Sequence, residues 1–209
     1  NPRVVLVGVT ALILIAQVAF LPIHRGALVY RQALGLIQDE QYDAALEAVQ
    51  KAEKADPWQP LYHLQEANVL GFLAFEHPED YLGEAIDVHE AALARSPAWE
   101  VGWHNLAALY AQAGQYSDAV QAETKALEIT PQSPVNELAL ATYYELAGDS
   151  EAAAERYLTV LNRHPTLAAS DFWDDARFPV RAAIRQRAVD EATLPRQKLS
   201  LAVYSGDEQ

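Results

Sequence analysis

The residue types able to do chemistry in this chain are scattered. Its histidines are His24, His63, His77, His89, His104 and His164. No two stand four apart on one helix with an acid, the spacing that lets two imidazoles share a zinc ion beside a carboxylate base. Gly-x-Ser-x-Gly, the Walker loop and Gly-x-Gly-x-x-Gly are all absent, which removes the usual nucleophile elbow and phosphate cradles. Neighbouring carboxylates such as Asp174 and Asp175, or Glu79 and Asp80, read as helix caps or solvated charges. With no Cys, thiolate metal sites and disulfides are excluded. The expectation is a non-enzymatic chain with no catalytic residue, no cofactor and no metal. What remains to act is surface, so the elements that shape the surface decide the function.

Half the residues are apolar and no low-complexity segment occurs in the 209 residues, so the chain has enough apolar surface to fold. The formal charge of −14 argues against nucleic acid or an anionic lipid surface as main partner. Its plain reading is a solvated helical exterior.

Proline sets the organisation. It is costly inside helices and tolerated at first turns and beyond C-termini. Pro57, Pro97, Pro131 and Pro165 are spaced 40, 34 and 34 apart, a period that signals repeats. The clearest unit runs from Glu100 to Ser133. Trp103, Leu106, Ala107 and Tyr110 stand three or four apart, Gly114 follows, then Tyr116, Ala119 and Ala126, and Pro131 closes the unit. The first half supplies bulky knobs and the second small holes, which predicts two closely packed helices. Gly114 ends the first of them, because a left-handed C′ residue costs least as glycine. Such a pair cannot bury its apolar faces alone and needs stacked neighbours.

This pattern closely resembles the tetratricopeptide repeat (TPR) family. The unit meets the family's 34-residue pattern at all but one place: Glu123 stands where a large apolar residue is usual. The fourth unit, 134–167, fits with Leu140, Ala141, Tyr144, Gly148, Ala153 and Tyr157, while Val160 replaces a usual Ala. The first, 26–59, has Val29, Ala33 and Leu36, then Tyr42, Ala45, Val49 and Ala52. The second, 60–99, carries Ala67, Leu70, Ala85 and Ala92, with about six extra residues placed around Phe75 to Asp80. The resemblance implies an all-α, right-handed α-solenoid of four helical hairpins across residues 26–167.

Two segments flank it. Val4 to Ile23 contain no charge, with Thr10 and Gln17 the strongly polar side chains inside. As a helix this run spans roughly 30 Å, the thickness of a bilayer core. Residues 1–25 are therefore expected to form a long hydrophobic N-terminal helix, either a transmembrane anchor or a helix buried in an assembly. Residues 168–209 break the period and are expected to be capping helices, with Phe172, Trp173 and Phe178 as a lid on the last repeat or, otherwise, an aromatic binding patch. Pro179 to Ala192 reads as a helix carrying Arg181 and Arg185, with Arg177 just before it. These arginines are expected to pair with Asp174, Asp175 or Asp190 or to face water, and otherwise to meet an acidic partner. Leu199 to Asp207 reads as the first helix of a further repeat.

TPR proteins line a concave groove with their first helices. By register the resemblance places Tyr30, Arg31 and Leu34 there from the first unit, and Leu61, Leu64 and Asn68 from the second. Val101, His104, Asn105 and Ala108 follow from the third, then Val135, Leu138 and Thr142 from the fourth. A groove with Asn68, Asn105 and Arg31 but no Lys is a poor clamp for a peptide carboxylate. Its apolar character suits an amphipathic or apolar helix, or these side chains pack on the next repeat. A weaker resemblance joins the apolar helix, the short basic stretch after it and Asp56-Pro57-Trp58 to the last membrane helix and C-terminal TPR extension of bacterial O-antigen ligase or polymerase-like membrane proteins. That resemblance implies a cell-envelope setting and carries none of the reacting loops.

The expected function is a protein–protein interaction and assembly scaffold. It would self-associate through the N-terminal helix and the repeat surfaces, into a ring or a cell-surface filament, with other copies of itself as partners. The alternatives are a membrane-anchored adaptor for a different protein and the extension of a cell-envelope glycan enzyme. The expected location is the cell envelope or the extracellular surface.

Overall fold

The computed structural model describes the backbone of residues 2–191; residue 1, residues 192–209 and the side chains of 2–8, 12–16, 18–19 and 189–191 lie outside the described residues. The reading of Leu199 to Asp207 falls there. The described residues are helical throughout, without a strand. The chain divides into two units, Asn1–Pro97 and Ala98–Gln209.

In the first unit, α1 (Pro2–Gln38), α2 (Tyr42–Ala55), α3 (Pro60–Glu76) and α4 (Pro78–Arg95) follow one another. Each packs on the next as antiparallel neighbours joined by short turns. α1 passes without a break through the boundary expected at Gly26, with Pro22 inside it. The expected N-terminal helix and the first helix of the first repeat are therefore one element. Gly26 is where α1 meets α2: a Cβ there would lie 3.1 Å from the Ala52 carbonyl oxygen. Beyond it Ala33, Ala48, Val49, Ala52 and Tyr62 form one core, with Ala45, Val69 and Leu73 forming a second. Before it, Val9, Phe20, Leu21 and Ile23 are exposed, and so are Thr10 and Gln17. Among the described residues, no helix is long and apolar enough to cross a membrane.

The extra residues of the second repeat are not a loop. α3 and α4 have 17 and 18 residues, against 13 and 14 in the repeats that follow. Only His77 separates the two. Pro78 is tolerated in that short turn because it opens α4 at a first-turn position, where its missing N–H has no helical partner to lose. The insertion thus lengthens a hairpin instead of breaking one.

The second unit holds α5 (Glu100–Gln112), α6 (Tyr116–Ile129), α7 (Pro134–Leu146) and α8 (Ser150–Arg163), then two short 3-10 helices, Pro165–Ala169 and Asp171–Asp174, and α9 (Pro179–Glu191). α5 and α7 end alike. Gly114 and Gly148 take φ of +76° and +85°. The next residue's N–H reaches back to the last turn: Gln115 donates to the Tyr110 carbonyl at 2.8 Å and Asp149 to that of Tyr144 at 2.9 Å. α1 ends with the same bond, Gln41 to Leu36 at 2.9 Å, yet its left-handed residue is Glu40, at φ +58°. Asp56-Pro57-Trp58 is the turn after α2. The Asp56 carboxylate accepts from the Trp58 N–H at 3.4 Å, and Trp58 itself is 90% exposed.

Candidate functional site

The departure from the repeat pattern, Glu123, explains itself in the second unit. Its position on α6 faces α5, and its side chain is fully buried. The Nδ1 of His104, one of the groove residues expected on α5, lies 3.0 Å from each Glu123 oxygen. The carboxylate is thus met by an imidazole where the pattern has an apolar contact. Glu123 raises the pKa of His104 by hydrogen bond and by charge, against the opposing effect of burial. Glu123 is itself raised, first by burial. Both directions mean that the pair is slow to give up its proton as pH rises.

Around it, Val101, Ala108 and Val135 are exposed, and Asn105 is half-buried. The Asn136 amide donates to the Glu100 carboxylate at 2.5 Å, tying α7 to α5. Leu138 and Thr142 belong to something else. Leu138 packs on the core beneath the C-terminal segment. Thr142 receives hydrogen bonds from the Tyr157 hydroxyl and from Arg181, both at 3.3 Å. The cap therefore covers the α7 end of the expected groove. Val135 stays outside it, near the start of the helix.

The described part of the C-terminal segment packs on the last repeat, with a use of arginine that differs from the expected one. Trp173 is fully buried among Ala141, Tyr157, Leu161 and Ile184, with its indole N–H donating to the Leu167 carbonyl at 2.7 Å. Arg177 pairs with Asp175 at 2.7 Å and Arg185 with Asp174 at 2.6 Å. Arg177 holds the Asp175 carboxyl down at about 2. Arg181 does neither of the things expected of it. It is buried, with the guanidinium 3.9 Å from the ring centres of both Phe172 and Phe178 and donating to the Phe172 carbonyl at 2.8 Å. Two aromatic faces replace a carboxylate as its counter-charge. The three aromatic residues and the arginine four places from Arg185 were visible in the sequence; their convergence required the fold.

In the first unit Arg31, Leu34 and Leu61 are exposed, while Tyr30, Leu64 and Asn68 are half-buried. The Tyr30 ring tilts against Tyr62 at 5.0 Å, and its hydroxyl donates to Gln65 at 3.5 Å. Sequence reasoning missed a second cluster. Glu53 on α2 and His63 and Glu66 on α3 bring ligand-type atoms within 4.8 Å of one another. The His63 Nδ1 lies 2.8 Å from Glu53. Gln50 donates to Glu66 at 3.0 Å, and Arg95 on α4 donates to His63 Nε2. Burial first and Arg95 second lower the His63 pKa, and burial raises that of Glu66. The available signal was His63 and Glu66 three apart on one predicted helix face; Glu53 comes from another helix and had none. Of the remaining histidines, His89 is buried on α4 with Nδ1 2.8 Å from the Ala85 carbonyl, and His24 and His77 are exposed.

Comparison with known proteins now has geometry to rest on. No family model matches the chain, and no curated protein does. Solved structures do. The chain is similar to MamA (residues 41 to the end) from Desulfovibrio magneticus RS-1, at 20% identity and a TM-score of 0.61, over 68% of this chain and 76% of that one. It is similar to a tetratricopeptide repeat protein from Parabacteroides merdae ATCC 43184, at 17% identity and a TM-score of 0.64, over 88% and 68%. It is also similar to the first TPR of Spaghetti (RPAP3) bound to the HSP90 peptide SRMEEVD, at 15% identity and a TM-score of 0.53, over 60% and 95%. The fold is the TPR fold, as the residues from Trp103 to Pro131 implied.

Proposed function

We propose that this chain is a non-enzymatic protein–protein interaction and assembly scaffold that self-associates, through the leading part of α1 and the repeat surfaces, into a filament in the cell envelope or at the cell surface. One observation carries the reading. α1 continues N-terminally from the first hairpin, and Phe20, Leu21 and Ile23 are 55%, 46% and 41% exposed there. An apolar face exposed among the described residues serves as a contact face for something else. A leading helix that seats on another copy's repeats makes a heterologous contact, which propagates. A TPR neighbour holds a peptide in its solved structure, which is in keeping with proteinaceous ligands. The test uses the full-length chain carrying Phe20→Glu and Ile23→Glu. Sedimentation in detergent-free buffer should show concentration-dependent polymers for the parent and a monomer for the variant. Polymers that persist in the variant overturn the reading. A parent that stays monomeric and co-floats with lipid vesicles favours instead a membrane-anchored adaptor, a role suggested by the charge-free run from Val4 to Ile23.

A further inference from the structure

We propose that Glu53, His63 and Glu66 form a divalent transition-metal site that takes Zn2+ and staples α2 to α3. The proposal is independent of the scaffold reading. The three side chains come from two helices that pack together, and all are half-buried. His63 and Glu66 share one face of α3, and Glu53 meets them from the last turns of α2. One imidazole nitrogen and two carboxylates are a donor set suited to Zn2+, with water completing a four-coordinate shell. Their ligand atoms stand within 4.8 Å of one another. Zinc–ligand bonds of roughly 2.0–2.2 Å would draw them closer, to separations of about 3.3 Å. Two glutamates with rotatable stems can supply that closure. An outer partner is already in place, because Gln50 donates to Glu66 at 3.0 Å and helps hold its carboxylate.

Arg95 opposes the ion. It donates to His63 Nε2, so the neutral ring carries its proton on Nδ1 and offers that proton to Glu53. Zinc at Nδ1 requires the other tautomer, with the proton on Nε2. The imidazole loses no net proton, but Nε2 can no longer accept from Arg95, which must swing away. Arg95 is an exposed residue in the last turn of α4, so this movement is open to it. The arrangement assigns opposite roles to neighbouring residues: His63 and the two glutamates hold the metal, and Arg95 keeps it out.

The test is calorimetric titration of the EDTA-stripped full-length chain with ZnCl2, alongside the absorption spectrum of the Co2+ form. The expected result is one Zn2+ per chain at micromolar affinity and a Co2+ d–d band of low-symmetry, four- or five-coordinate type. His63→Gln and, separately, Glu66→Gln should each weaken binding by about tenfold or more. Arg95→Ala should tighten it several-fold, and the exposed His77→Gln should leave it unchanged. Far-UV circular dichroism checks that each variant is folded, and the two ligand variants guard against either one failing to fold. No saturable binding by the parent overturns the proposal. So does binding that survives both ligand variants, since the ion would then sit elsewhere on an acidic surface.

Discussion

Each half of this molecule sets a histidine against glutamate across a helix pair, and the two contacts are biased in opposite directions. In the second unit His104 faces the fully buried Glu123, with Glu100 adding negative charge, and its pKa is raised. In the first unit His63 meets Glu53 on one nitrogen and Arg95 on the other, and its pKa is lowered. The residue types of the core pair are the same. The surroundings decide: the Glu123 hydrogen bond outweighs burial and keeps the proton on His104, whereas burial first and the Arg95 guanidinium second push it off His63. The turns and ends differ too. The second unit ends its first helices on glycine and closes under Trp173 and Arg181. The first unit ends α1 on Glu40, and among the described residues Val9, Phe20, Leu21 and Ile23 on the leading part of α1 are exposed.

The largest expected effect breaks the second contact. His104→Ala leaves the Glu123 carboxylate buried without its partner and should cost about 3 kcal/mol in urea denaturation at neutral pH. The double change His104→Leu with Glu123→Leu, which restores an apolar contact, should recover most of it. A double variant as unstable as the single one would mean that the pair does not carry the loss. Next is the cap. Arg181→Ala removes the guanidinium from between two rings and should cost about 2 kcal/mol, with the Trp173 fluorescence shifting red as water reaches the indole. Glu40→Gly sharpens the comparison of turns: relieving the left-handed strain should stabilise the first unit by about 1 kcal/mol, read as a higher denaturation midpoint.

The subtlest test reads the protons themselves. A raised histidine stabilises the fold below its unfolded value of about 6.5 and loses that contribution as pH climbs through its folded value. A lowered histidine does the reverse, contributing above about 6.5 and failing as pH falls through its folded value. His104 therefore favours its unit on the acid side of the range and His63 on the alkaline side. An NMR titration of the imidazole Cε1 protons should place the two midpoints on opposite sides of about 6.5. Arg95→Ala should move the His63 midpoint upward and leave that of His104 in place. A His63 midpoint indifferent to Arg95 would remove the guanidinium from the contrast and leave burial as its cause.

Much of the fold was legible because helical repeats write their packing into local spacing. Trp103, Leu106, Tyr110, Ala119 and Ala126 announce knobs, holes and a turn within 34 residues. The left-handed residues at Gly114 and Gly148 follow from backbone sterics alone. Other features were not legible. The boundary placed at Gly26 falls inside one continuous helix, at a close approach to α2. The extra residues near Pro78 lengthen two helices, because proline starts a helix as readily as it interrupts one.

The sequence by itself determined the hairpins, their order, the closing role of Trp173 and the oddity of Glu123, since each rests on residues close along the chain or on burial that residue type dictates. Only tertiary structure decided what the charged side chains that meet across helices do, whereas the local pairs of Arg177 with Asp175 and Arg185 with Asp174 were already in reach of the sequence. Tertiary structure paired Glu123 with His104, placed Arg181 between Phe172 and Phe178 over the α7 groove positions, and gathered Glu53, His63, Glu66 and Arg95 from three helices. Charge is read against its surroundings, and those are supplied by helices whose mutual placement no local spacing encodes.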